Sequence, residues 1–171
     1  MKIELASGYH PDMSFDIHSD INQNCPHLEY VGSLDKLPWE DNYADEMRAC
    51  DIIEHFSYRD TLRVLAEWRR VLKPGGRIFI QCPNAKLIAK SWLEGTLPIM
   101  GDMPIDFSAS YWIMGGQEDD TFAKKGDDWR WNAHYTLFSP ESLEFYLKMV
   151  GFSSVSIESD GGSNLMCWAV K

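Results

Sequence analysis

The sequence predicts an α/β protein: one mostly parallel sheet of seven short strands, with its last strand antiparallel. Three observations carry this. Seven short apolar runs bounded by turn residues recur along the 171-residue chain. A strand–helix–strand unit occupies the middle, about the length a parallel crossover needs. The last two runs flank a turn so short that they must pair antiparallel.

The runs Lys2–Ala6, Phe15–Ile21 and Leu28–Val31 come first, each of strand length. Glu46–Cys50 and Arg77–Cys82 follow, the second rich in strand formers and bounded by Gly75-Gly76 and Pro83. Between them, "SYRDTLRVLAEWRRVLKPGG" predicts a helix over Ser57–Leu72. Ser57 can cap it, with Asp60 three residues on in a capping-box arrangement. Leu62, Val64, Leu65, Trp68, Val71 and Leu72 recur at helical spacing as one apolar stripe. Arg69, Arg70 and Lys73 suit the negative end of the helix dipole, and Pro74-Gly75-Gly76 is expected to stop it. A second helix starts after Ser139, with Pro140 at its first position, and ends at Gly151. Ala85–Glu94 reads as a third. Ser154–Glu158 and Leu165–Val170 then flank "SDGGSN" as the antiparallel pair.

The length fits a single domain over residues 1–171. Residues 96–135 differ in character, with seven aromatics and seven acids against three bases and little periodicity. They read either as a surface insertion packed onto the body or as a lid or substrate platform, since long ordered loops often carry function.

Composition narrows the function classes. Hydrophobic residues make up 44% and charged residues 25%, and no apolar run reaches membrane-spanning length. Met1 leads directly into the first strand, with no secretory signal ahead of it, so a cytoplasmic location is expected. The net charge of −10 disfavours nucleic acid and anionic membranes as partners. Cys25, Cys50, Cys82 and Cys167 lie far apart and read as reduced, mostly buried thiols. His10, His18, His27, His55 and His134 show no metal-ligand spacing, so no metal is expected, although distant residues can converge in a fold.

With "LPWEDNYADEMRACDIIEHF" followed by "EWRRVLKPGGRIFIQCPN", the chain resembles the class I S-adenosylmethionine-dependent methyltransferases, among them small members with a short first turn. The likeness runs from Ile3 to about Asn84 and resumes at "HYTLFS" and "LEFYLKMVGF". It implies a Rossmann-like three-layer sandwich whose seven-stranded, mostly parallel sheet has an antiparallel last strand. It also implies a cofactor, S-adenosylmethionine, with S-adenosylhomocysteine as product, across the carboxyl ends of the first strands.

By the same resemblance, Ala6, Ser7 and Gly8 match the glycine-rich turn beneath the methionine part, with Ala6 where the family's first glycine is expected. Asp20 falls where an acid accepts the ribose hydroxyls, a task for two carboxylate oxygens. Asp16 and His18 share its parity and stand as fallbacks. Ser33 and Leu34 match the turn at the adenine. Cys50 and Asp51 match the backbone beside the methionine amino group. Only eight residues separate Ala6 from Phe15, with Pro11 among them, so the first helix is expected to be shrunken or absent.

Methyl transfer asks the protein to orient the acceptor and, for a hydroxyl, to remove its proton. Glu54 and His55 fall on the acceptor side. His55 is the candidate general base, its titration range suiting that task, or else it braces the following helix with Glu54. Tyr9 and His134 are candidate substrate contacts, or ordinary covering residues. Trp39 and Trp68 read as packing residues. A catalytically silent S-adenosylmethionine-binding or regulatory protein of the same fold stays open. A nicotinamide oxidoreductase is disfavoured, because no G-x-G-x-x-G follows the first strand.

Overall fold

The computed structural model describes residues 1–116 and 129–171. Seven strands form one sheet: β1 (Lys2–Leu5), β2 (Ile17–Asp20), β3 (Tyr30–Val31), β4 (Ala44–Cys50), β5 (Leu72–Pro83), β6 (Ser154–Ser159) and β7 (Asn164–Val170). Their order is β3-β2-β1-β4-β5-β7-β6. The first five pair in parallel, and β7 runs antiparallel to both β5 and β6. This is the predicted Rossmann-like sheet with its antiparallel strand.

Side chains alternate across each strand, so the two faces have separate fates. One face presents Ile3, Leu5, Met47, Ala49, Ile78 and Ile80, all fully buried. They form one apolar core with helices α1 (Thr61–Val71) and α4 (Pro140–Met149). From α1 the core takes Val64, Leu65, Trp68 and Val71, and from α4 Leu143 and Leu147. Burying each such side chain contributes about 1.5–3 kcal/mol. Cys82 and Cys167 belong to this core, and all four cysteines are free thiols.

The opposite face is polar where the first helices of a three-layer fold would lie. Among the described residues no helix joins β1 to β2 or β2 to β3. Glu4 stands in register with His18 on one side and Arg48 on the other. Its carboxylate receives His18 Nδ1 and Arg48 Nη1, each at 3.0 Å. Asp12, from the connecting segment, donates its N–H to Glu4 at 2.8 Å and accepts from Arg48 at 3.0 Å. Residues 6–16 are thus fastened to the sheet by charge, where a helix would be fastened by apolar packing.

Local details depart from the sequence-based expectation at four places. The capping box at Ser57 and Asp60 does not form. Residues 57–60 make a turn in which the Ser57 carbonyl accepts from Asp60 N–H at 2.7 Å, and the helix begins at Thr61. Leu62 is 39% exposed and lies outside the apolar stripe. Pro74-Gly75-Gly76 does not stop the helix, because the chain is already extended at Leu72 and continues as β5. Within residues 96–135, Ile105–Met114 forms a helix, α3, whose apolar residues surround it too evenly to show a period. The part of that segment over residues 117–128 lies outside the described residues.

The second helix starts where expected, and Ser139 and Ser142 cap each other's backbone. Ala85–Leu93 forms α2, with Asn84 accepting from Leu87 N–H at 3.2 Å as its cap. α2 and α3 pack on each other around a small cluster of Ile88, Leu97 and Ala109.

Two stability measurements check this account. Arg48→Met leaves the buried Glu4 without its guanidinium and should destabilise the fold by about 2–3 kcal/mol. Arg63→Met, removing exposed pairs with Asp35 and Asp60, should cost distinctly less. Equal losses in urea melts would contradict the charged fastening. Ala6 leaves β1 at φ 53, in the left-handed region where a side chain is strained. Relief of that strain should make Ala6→Gly more stable, by up to about 1 kcal/mol, and raise its melting temperature.

Candidate functional site

At the carboxyl end of β1 the chain turns through Ala6, Ser7 and Gly8. Ser7 N–H bonds to the Ser19 carbonyl at 3.1 Å, which holds the turn against β2. Gly8, at φ +57, has open space where a side chain would begin. Its N–H donates to Asp20 Oδ2 at 3.0 Å, and Asn22 N–H donates to Oδ1 at 2.8 Å. The Asp20 carboxylate is therefore buried, fixed and adjacent to the turn. The Ser7 hydroxyl is buried there with no hydrogen-bond partner.

The fallback residues are elsewhere. Asp16 precedes β2 and accepts from Lys2 N–H at the sheet's far end, while His18 is committed to Glu4. Tyr9 lies on the Asp20 side, its hydroxyl accepting from Asn22 Nδ2 at 3.1 Å. Beyond β3, Ser33 donates to the Asp35 carboxylate. Leu34 is a core residue whose carbonyl accepts from Trp68 Nε1 at 2.8 Å, so α1 positions this turn. Trp39 packs between Tyr30 and Tyr43, as a structural residue would. At the end of β4, Cys50 receives Arg48 Nε at 3.2 Å, and burial pushes its thiol up. Asp51 follows with φ 51, braced by Gln81 Nε2 at 3.2 Å.

Asp51 also borders a pocket of about 300 Å³. Its other walls include Glu54 and His55 from a 3-10 turn over Ile53–His55, Tyr111 and Trp112 from α3, and His134. Backbone bonds assemble this pocket. The Glu54 carbonyl accepts from Tyr135 and Thr136 N–H at 2.8 and 3.1 Å, and His134 N–H reaches the Met114 carbonyl at 2.9 Å. Thr136 Oγ1 donates to the Phe56 carbonyl at 2.6 Å. Gly115 is required here, since a Cβ would sit 1.9 Å from the Asn132 carbonyl oxygen.

The electrostatics are unusual. Glu54 is 2% exposed, and neither carboxylate oxygen has a hydrogen-bond partner. Burial first, and the nearby Asp51 charge second, push its carboxyl well above the usual range. The His55 and His134 rings meet edge to face at 5.0 Å. Burial lowers both histidines, His134 to about 4, so both are neutral at pH 7. His55 Nδ1 donates to the Ala133 carbonyl at 3.0 Å, which leaves the lone pair on Nε2. One Glu54 oxygen and one ring nitrogen of each histidine lie within 4.8 Å of one another.

The fold thus brings His55 and His134 together, and collects Ala6, Ser7, Gly8, Asp20, Cys50 and Asp51 at the strands' carboxyl ends. It separates Tyr9 from His134. Trp112, whose Nε1 is buried without a partner, and Tyr111 had no signal in the sequence beyond aromatic content. Gly115-Gly116 was the legible trace of a close backbone approach.

A family model described as a methyltransferase domain matches residues 5–80. Among curated proteins, the chain is 29% identical over 155 residues to the ubiquinone/menaquinone biosynthesis C-methyltransferases of Burkholderia mallei and Burkholderia thailandensis. That match covers 81% of this chain and 57% of theirs, so the chain spans little more than half of those relatives. Among solved structures, a possible histamine N-methyltransferase from Thermotoga maritima superposes with TM-score 0.64 at 14% identity, over 99% of this chain and 81% of its own. A methyltransferase from Archaeoglobus fulgidus gives 0.63 at 17%, over 99% and 85%. A phosphoethanolamine N-methyltransferase from Haemonchus contortus, solved with S-adenosylhomocysteine, gives 0.61 at 15%, over 99% and 48%. The parallel sheet closed by one antiparallel strand, the turn after β1 and these likenesses agree: the chain has the fold of the class I S-adenosylmethionine-dependent methyltransferases and is similar in sequence to a methyltransferase domain over residues 5–80.

Proposed function

We propose that this chain transfers a methyl group from S-adenosylmethionine to a small acceptor held in the pocket beyond Asp51. One observation carries the reading. Asp51 belongs both to the crevice at the strands' carboxyl ends and to the wall of the adjoining pocket, so two ligands could meet beside it.

The chain's own residues fit the cofactor. The open space at Gly8 admits close approach to the backbone, and the partnerless Ser7 hydroxyl can bond to a ligand. Ala6, Ser7 and Gly8 would cradle the methionine part. Asp20 would accept the ribose hydroxyls with lone pairs left over from its two backbone bonds. The turn of Ser33 and Leu34 would meet the adenine, and Cys50 and Asp51 the amino group. When bound, the cofactor's sulfonium supplies an electrophilic methyl.

The remaining work falls to the pocket. Tyr111 and Trp112 give the acceptor an aromatic wall, and Trp112 Nε1 offers it a hydrogen bond. His55 lines this space as a neutral imidazole and promotes removal of the acceptor's proton. Holding the acceptor in line supplies up to ~7–11 kcal/mol of the barrier. Proton removal adds about two to four orders of magnitude.

Binding and turnover test this separately. S-adenosylmethionine should raise the melting temperature and titrate calorimetrically in wild type. Asp20→Asn should weaken it at least about tenfold, by loss of charge-assisted bonds, whereas Asp16→Asn should not. No binding at millimolar cofactor would overturn the reading. With an acceptor found by screening labelled-methyl transfer, His55→Ala should keep cofactor affinity and lower turnover by about two to four orders of magnitude. Tight binding with no transfer to any acceptor pool would instead favour a silent binding protein.

A further inference from the structure

We propose that Glu54, His55 and His134 form a binding site for one first-row divalent cation at the inner wall of the acceptor pocket. The donor set is the first argument. Two imidazole nitrogens and one carboxylate oxygen form a mixed set that suits zinc and its neighbours, and leaves positions open for water or an acceptor. The three atoms already lie within 4.8 Å of one another. Closing the set on a cation about 2.0–2.2 Å from each requires the three side chains to draw closer together.

Glu54 supplies the second, independent argument. A carboxylate that is 98% buried is ordinarily matched by a cationic side chain or by N–H donors. Here both oxygens lack a partner, and no lysine or arginine is among the described residues lining the pocket. Asp51 adds a further carboxylate to the same wall. What is missing from this cluster is one compact positive charge.

The surroundings have the form of a metal site's outer shell. His55 donates Nδ1–H to the Ala133 carbonyl, the arrangement that fixes an imidazole with its other nitrogen toward a metal. His134 comes from far along the chain, and the bonds from Tyr135 and Thr136 to the Glu54 carbonyl hold it opposite. No spacing rule could reveal this set, because the third ligand is separated from the first two by some eighty residues.

The proposal deepens the methyltransferase reading and, for its catalytic consequence only, rests on it. An acceptor hydroxyl oxygen in an open coordination position loses its proton to solvent more readily, because the cation stabilises the resulting oxyanion. His55 then promotes deprotonation through the cation, not by taking the proton itself.

Zinc titration into chelator-treated protein tests the site without reference to activity. One equivalent should bind, and Glu54→Gln and His134→Ala should each weaken binding roughly 100-fold or more. His27→Ala, at an exposed loop position, should leave binding unchanged. Substitution of cobalt in wild type should give visible bands of nitrogen and oxygen ligation, a readout that survives if a variant fails to fold. No zinc binding at millimolar concentration, or binding unaffected by both ligand variants, would overturn the site. A parallel titration with S-adenosylmethionine separates the two readings: zinc binding without cofactor binding removes the methyltransferase function and keeps the site, and the reverse removes the site alone.

Discussion

The short connection between β1 and β2 is the constraint on which the rest of the molecule depends. Residues 6–16 must join two parallel strands without a helix, so they cannot bring an apolar stripe to the sheet. The sheet face beneath them is accordingly charged, with Glu4 at the centre of a row running from His18 to Arg48. Such a row is stable only if every member is paired, and Asp12 of the same connection completes it. Because that segment is held at Asp12, the Ala6–Gly8 turn is held too, close enough to donate to Asp20.

The apolar half of the protein works to the same end from the other face. Trp68, fully buried in α1, sends its one polar atom to the Leu34 carbonyl and so fixes the turn after β3. A single core residue thereby ties helix packing to the crevice at the strands' carboxyl ends. Arg69 of α1 reaches the Gly151 carbonyl at 3.0 Å, binding α1 to the end of α4. The crevice lies on a frame whose parts are cross-linked, as a site needing ångström-scale placement requires.

The pocket is built differently, by backbone bonds between distant segments. Strand-end residues 51–56, α3 and residues 132–136 meet through carbonyls and N–H groups, so side chains there are left to face the space between. This is why both Glu54 carboxylate oxygens and Trp112 Nε1 are left without partners. Buried polar groups without partners are uncommon in native proteins and concentrate where a ligand completes them. The left-handed conformation of Asp51 stands at the junction of crevice and pocket, where strain of that kind often gathers.

Much of this was determined by the sequence alone. Alternation in Lys2–Ala6 and Arg77–Cys82, the stripe of α1 and the "SDGGSN" turn encode strands, helix and hairpin through local periodicity, which needs no tertiary partner. Asp20 and the departure at Ala6 were singled out through the family resemblance, which matches them to the ends of the first two strands; composition and periodicity alone did not mark them. The helix Ile105–Met114 was not legible, since its apolar residues are spread around it and give no period to read. The Ser57 cap failed because a turn satisfied the same backbone groups first. The meeting of Glu54 and His55 with His134 was decided only by tertiary structure: their separation in sequence is bridged by hydrogen bonds between backbone groups, which every residue possesses and no residue type announces.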